Sequence, residues 1–195
     1  MKKLISILSL LIVVAWSQVA TAAPPITLTF NELPFQPVDG LSFMGVTFHF
    51  TVNGVPSGDA NYDSGGPGRI TYVQDPSLEG NAAGTLTLDF DTPTPVVQFG
   101  VALSTFAPLA AGSTVELFDS TLTSLAVLDV ATAGIVSFTE SRFSYHGQPI
   151  SRVAITFNGH AALRFALDNL TFDNGLGPAA TLETPNFAVG GRPWK

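Results

Sequence analysis

The 195-residue sequence has no cysteine, two methionines, three histidines and only eight basic side chains, and charged residues make up just 12% of it. Each shortage closes off a class of protein. Without cysteine there is no disulfide scaffold, no thiolate metal centre and no thiol nucleophile. His49, His146 and His160 are dispersed, with no His-x-His or His-Glu-x-x-His spacing, so a zinc or copper site lacks its usual ligands. Eight Lys plus Arg against 15 Asp plus Glu give a net charge of −7, the wrong sign for a nucleic-acid partner. So little charge also excludes a coiled coil and a highly charged disordered chain. No segment after the first 22 residues repeats apolar positions at the helical period over three turns.

What is present begins with an export signal. Lys2 and Lys3 form a positive start, Leu4 to Trp16 is almost continuously apolar, and Ala20-Thr21-Ala22 supplies small residues for cleavage after Ala22. The apolar run is shorter than the roughly 20 residues of a membrane span, and nothing later approaches that length. The expectation is a secreted or periplasmic protein of bacterial type, with no membrane span after cleavage. Removing Lys2 and Lys3 leaves six basic residues against 15 acidic ones, a net charge of −9. Such a chain is repelled by anionic lipid and nucleic acid and suits cations.

From Ala23 to Phe172 the dominant pattern is alternation of period two. Ile26-Thr27-Leu28-Thr29-Phe30, Val46 to Val52, Leu86 to Asp91, Val153 to Phe157 and Phe165 to Phe172 all switch between apolar and polar residues. That is the pattern of strands with one face buried and one wet. Arg69 to Val73, Val96 to Leu103, Thr114 to Phe118, Leu125 to Val130 and Ile135 to Thr139 are further candidates, making about ten short strands between Gly, Pro, Asn and Asp clusters. The predicted fold is all-β: one domain, a two-sheet antiparallel β-sandwich of jelly-roll type. Pro93 and Pro95 predict a strand-to-strand turn, and Ser57 to Gly68 a long irregular loop. Asp173 to Lys195 has no period and reads as a flexible tail.

Five features of this chain invite chemistry. Asp63-Ser64-Gly65-Gly66-Pro67 matches the nucleophile segment of trypsin-like proteases, but Ser64 lies too early in the chain for a preceding barrel to deliver a histidine base. Asp59, Asn61 and Asp63 space three oxygen side chains two apart, as in the opening of a calcium loop; Ser64 and Ile70 stand where a turn glycine and a bidentate acid would belong. Glu32 follows the first strand and Asp168 interrupts the last, so adjacent terminal strands would bring these carboxylates together, with Asn169 beside them, as a structural calcium site. The other reading of Asp168 is an acid bonded to Arg164, a backbone amide or water. Asp89 and Asp91 share one strand face, the spacing of a sugar-cleaving pair with nothing else around it to mark such a site. Tyr62, Tyr72 and Tyr145 are the candidate platforms for a sugar ring.

The strand motifs carry a resemblance. Ile26-Thr27-Leu28-Thr29-Phe30-Asn31-Glu32-Leu33-Pro34, Gly45-Val46-Thr47-Phe48, Leu86 to Val101 and Phe165 to Phe172 resemble the exported β-sandwich domains of PEP-CTERM, exosortase-sorted proteins. The opening acid and closing Asp-Asn pair also look like those of MAM-type and carbohydrate-module jelly rolls, which implies calcium at Glu32 and Asp168. The chain departs from the sorted class at Leu182-Glu183-Thr184-Pro185-Asn186, which leads into a polar tail instead of an apolar span, so release is expected in place of anchoring. The leading functional expectation is a non-catalytic structural or adhesive module of a cell surface or extracellular matrix, calcium-stabilised. The alternative is a carbohydrate-binding module with polysaccharide as partner, and the third a polysaccharide-acting hydrolase or lyase.

Overall fold

Alternation in sequence becomes alternation in burial. In the strand Val46–Val52, Val46, Phe48 and Phe50 are buried while Thr47, His49 and Thr51 are partly exposed. The computed structural model describes residues 24–173, apart from Val136 and the side chain of Ile135. The expected signal peptide and the tail beyond Asp173 lie outside the described residues. Twelve strands form: β1 (Ile26–Leu28), β2 (Gln36–Pro37), β3 (Ser42–Phe43), β4 (Val46–Val52), β5 (Val55–Pro56) and β6 (Ala60–Ser64), then β7 (Ser77–Asn81), β8 (Gly84–Leu103), β9 (Leu109–Phe118), β10 (Ser124–Ile135), β11 (Phe138–Phe157) and β12 (Arg164–Phe172). All their pairings are antiparallel. The fold is the all-β sandwich expected.

Two 20-residue strands, β8 and β11, run through both layers. The first half of β8 pairs with β4 and with the end of β11, which in turn pairs with β9. The second half of β8 lies between the start of β11 and β12, and β12 continues to β7, β6 and β2, with β1 beside its end. Between these halves the β8–β11 register slips twice, at His146/Ile150 and Ile150/Arg152. Pro93, Pro95 and Pro149 sit at this corner. Pro93 and Pro95 therefore mark a bend inside one strand, correcting the turn expected there. At a corner where the ladder is already interrupted, a missing N–H leaves no partner unsatisfied.

The core between the layers is largely aromatic. Phe30, Phe48, Phe50, Phe99, Phe165 and Phe172 are fully buried, with Phe157 and Phe165 stacked at 3.7 Å between centroids. Phe30 adopts φ +58°, a conformation that bulky residues avoid, and this ends β1 at Leu28 two residues before the alternation does. Two other expectations change. The stretch Ser57 to Gly68 contains strand β6, and Arg69 to Val73 is a tight hairpin held by one bridge, Arg69 to Gln74, in place of a sheet strand.

Candidate functional site

The layer containing β12, β8 and β11 has an outer face paved with very small residues. Gly100 and Ala102 on β8 and Ala166 on β12 alternate with Phe99, Val101, Leu103 and Leu167, which point into the core. The segment 65–76 folds down onto this paving. Val73 is fully buried against Ala102 and Ala166, with Ile70 and Phe138 closing the sides of a second small core. Gly100 is required here, because a Cβ at that position would collide with the carbonyl oxygen of Tyr72.

Two buried acids hold the hairpin down. Glu140 on β11 is 3% exposed; its Oε1 accepts from the Thr71 N–H at 3.0 Å and its Oε2 from the Tyr72 N–H at 2.7 Å. Asp168 on β12 is also 3% exposed, and its Oδ2 accepts from the Gln74 N–H at 2.9 Å. Within the segment, Ile70 N–H donates to the Val73 carbonyl at 3.1 Å and Gly66 N–H to Asp75 Oδ1 at 2.7 Å. Asn169, left-handed at φ +55° where the β12–β8 register slips, turns its amide under the loop. Its Nδ2 donates to Asp168 Oδ2 at 3.0 Å and to the Tyr72 carbonyl at 3.3 Å.

A groove of about 270 Å³ opens beside this hairpin, lined by Thr27, Tyr72, Gln98, Phe99, Gly100, Arg142, Asn169 and Thr171. Tyr72 is 41% exposed at its margin. Along the floor Arg142 Nη2 donates to Gln98 Oε1, and Gln98 Nε2 lies 2.9 Å from His146 Nε2. The hydroxyls of Thr27 and Thr171 meet at 2.8 Å. The lining is thus a phenol, two side-chain amides, a guanidinium and threonine hydroxyls, an array of planar and hydroxylic groups suited to a ligand dense in hydroxyls.

On the far side of Asn169 lies a second hollow of about 220 Å³, lined by Thr29, Asn31, Gln74, Asp75, Asp168 and Asn169. Burial pushes the Asp168 carboxyl up to about 6; the N–H bonds from Gln74 and Asn169 oppose this, and the negative charges of Glu32 and Asp75 add to it. Glu32 is thereby brought electrostatically close to Asp168, but its own oxygens have donors. Oε1 accepts from Thr29 N–H at 2.7 Å and Oε2 from Tyr62 O–H at 2.5 Å. Burial alone would raise Glu32, yet those bonds outweigh it and hold the group below its ordinary value. Asp75, Asp168, Asn31 and Asn169 carry the oxygen side chains of this lining that a hard cation would use, although both Asp168 oxygens already accept N–H groups. Among the described residues no three of His, Asp or Glu gather closely enough to form a ready-made metal cluster.

The remaining expected residues separate. Asp59, Asn61 and Asp63 are held apart in role: Asn61 is paired in β6, Asp63 stands left-handed at φ +53° at a bulge in that strand, and Asp59 is ion-paired to Arg164 at 2.8 Å. Calcium needs several oxygens wrapped round one point, and the Asp59 carboxylate is already turned to a guanidinium. Tyr62 is no sugar platform, because it is fully buried, edge-on to Phe30 at 5.0 Å, and donates to Glu32. Burial, with that bond, drives its phenol far above its ordinary value. Tyr145 packs against the core at the corner and donates to the Gln148 carbonyl at 2.8 Å, so it faces away from the groove. Asp89 is closed onto Arg152 by bonds of 2.5 and 2.9 Å, while Asp91 lies exposed at the bend. Of the three tyrosines only Tyr72 reaches open surface beside a groove. Gln98, Arg142 and Glu140 carry no sequence signal: Gln98 is a polar residue in the expected strand Val96 to Leu103, Glu140 and Arg142 lie past the end of the one expected at Ile135 to Thr139, and only the hairpin's return marks their face out.

No protein-family model and no curated protein matches the sequence. Among solved structures, a variant of a family 29 carbohydrate-binding module is similar at TM-score 0.38 and 10% identity, over 77% of this chain and 92% of that one. The enzymatically active domain of bacteriophage CBA120 tailspike protein 4 is similar at TM-score 0.39 and 14% identity, over 69% of this chain but only 21% of that one. A Streptococcus pneumoniae fucose binding module is similar at TM-score 0.33 and 8% identity, over 50% of this chain and 69% of that one.

Proposed function

We propose that the protein is an exported, non-catalytic carbohydrate-binding β-sandwich that takes one unit of a polysaccharide in the groove beside the 65–76 hairpin. The observation that carries this is the groove's lining: Tyr72 at the margin over a floor of Gln98, Arg142, Asn169 and threonine hydroxyls. A sugar ring offers an edge of vicinal hydroxyls and a face of C–H groups. Side-chain amides and guanidinium match the first, and an aromatic ring matches the second. At about 270 Å³ the groove is smaller than the range of about 300–1,000 Å³ usual for pockets that engulf drug-sized ligands. It suits a short stretch of a longer chain that runs on across the surface.

The non-catalytic part of the reading is supported by what the groove offers chemically. Glycoside hydrolysis of the usual kind uses two carboxylates flanking the bond, and the lining residues supply none. Glu140 and Asp168 lie beneath the hairpin with their oxygens engaged by N–H donors. Affinity electrophoresis through gels containing soluble polysaccharides tests the proposal. At least one polysaccharide should retard the protein, Tyr72→Ala should abolish the retardation, and Tyr145→Ala should not. Free migration in every gel, or retardation that survives Tyr72→Ala, would refute it.

A further inference from the structure

We propose that the groove selects an acidic sugar, a uronate whose carboxylate is received by Arg142; this rests on the carbohydrate-binding reading and names the class of sugar. Residues 24–173 contain four basic side chains, Arg69, Arg142, Arg152 and Arg164, and no lysine. Arg152 is neutralised by Asp89, and Arg164 by Asp59 at 2.8 Å with Glu79 at 3.8 Å. Among the described residues, Arg142 forms an ion pair with no carboxylate. Its one side-chain bond among the described residues goes through Nη2 to the neutral amide of Gln98, which leaves the rest of the fork without an acceptor there.

The acids beside Arg142 do not supply that acceptor. Glu140 lies two residues away on the same face of β11, and both its oxygens accept hairpin N–H groups. Asp168 lies across β8 in register, since Arg142 and Asp168 both pair with Gly100, and it accepts from Gln74 and Asn169. Both acids that neighbour Arg142 on this face are thus engaged beneath the hairpin, while Arg142 lines the open groove. A guanidinium fork matches a planar carboxylate with two parallel bonds, stronger than its bonds to neutral hydroxyls. Arg69, the other arginine outside an ion pair among the described residues, is exposed three residues before Tyr72 on the same hairpin. Elsewhere the protein is acidic and repels polyanions, so uptake of one has to occur at such a spot.

The test compares each acidic polymer with its own neutral ester, so that backbone and linkage stay fixed. Polygalacturonate with its methyl ester, and alginate with its propylene glycol ester, serve as probes in affinity electrophoresis and titration calorimetry. At least one acid form should bind at least tenfold more tightly than its ester. Within Arg142→Gln the acid form should bind no more tightly than its ester, whatever affinity that ester keeps, and Arg142→Lys should restore part of the preference. Equal affinity for acid and ester in both pairs, or a preference that persists in Arg142→Gln, would overturn the inference. If neutral polymers bind through Tyr72 with no preference for acid, the inference fails and the carbohydrate-binding reading stands. If no polysaccharide binds, both fail.

Discussion

Glu140 on β11 and Asp168 on β12 stand on either side of β8 and hold the same hairpin by its main-chain N–H groups, at Thr71 and Tyr72 in one case and Gln74 in the other. The hairpin places Tyr72 at the groove, so the position of the exposed aromatic there depends on two carboxylates that do not line it. A loop fixed from beneath loses little freedom when it binds, which favours affinity.

Cutting this hold should loosen the hairpin before it unfolds the sandwich. Glu140→Ala leaves the N–H groups of Thr71 and Tyr72 without their carboxylate acceptor, a loss of about 3–6 kcal/mol for two such bonds. Urea unfolding should show that loss. Limited proteolysis should cut between Gly65 and Pro76 faster than in the parent protein, while the β-sheet circular dichroism is retained.

Gly100→Ala should have the same consequence by a different route. The new methyl group would meet the Tyr72 carbonyl oxygen, a main-chain atom that cannot swing aside. Overpacking of this kind costs about 1–3 kcal/mol. Calorimetry should show weakened polysaccharide binding together with a lowered unfolding temperature, because the lifted hairpin carries Tyr72 with it.

Asp168 gives the stability a pH dependence of definite sign. Its folded value, pushed up to about 6, lies above that of an unfolded aspartate near 3.9. Between those values the folded state holds a proton that the unfolded state has released, so stability falls as pH rises from about 4 to about 6. The span corresponds to about 3 kcal/mol. Denaturant unfolding in EDTA at a series of pH values should show this fall in the parent protein, and Asp168→Asn should remove it. Glu32, held low, acts in the opposite sense, its stabilisation being lost as pH drops through its own folded value.

The two tyrosines ten residues apart should separate stability from binding. Tyr62→Phe removes the bond from a buried phenol to the ionised carboxylate of Glu32 at the edge of the core, worth about 1.5–3 kcal/mol, and should leave polysaccharide affinity unchanged. Tyr72→Ala should change unfolding by less than about 0.5 kcal/mol, as for an exposed site. Its binding should fall by about 2 kcal/mol or more, roughly thirtyfold. Parallel melts and titrations of the two variants check both halves.

The layers of the sandwich were legible because alternation survives wherever one face is dry, as in Val46–Val52 and Gly84–Phe90. Tyr62 was legible too, since Ala60-Asn61-Tyr62-Asp63-Ser64 alternates and puts the tyrosine on the dry side; the run of Gly and Pro after it made the whole stretch look like loop. Asp168 in an apolar run announced that it needed a partner, but the partner is the N–H of Gln74, 94 residues earlier. Glu140 gave no such sign. It stands in the polar run Thr139 to Arg142, past the end of the expected strand, and its burial comes from a hairpin 68 to 69 residues away in sequence. The same fold-back defines the groove, so Gln98 and Arg142 acquire their setting only in three dimensions.

The most direct test of the groove as the binding site is chemical-shift mapping by NMR. Hexagalacturonate and its neutral methyl ester would be titrated separately into the labelled protein. The account predicts saturable shifts at Tyr72, Gln98, Arg142 and Asn169, larger for the acid form, and none at His49, Asp89 or Arg152 on the other layer. Shifts centred on His49, Asp89 and Arg152, with Tyr72 and Gln98 unmoved, would contradict it.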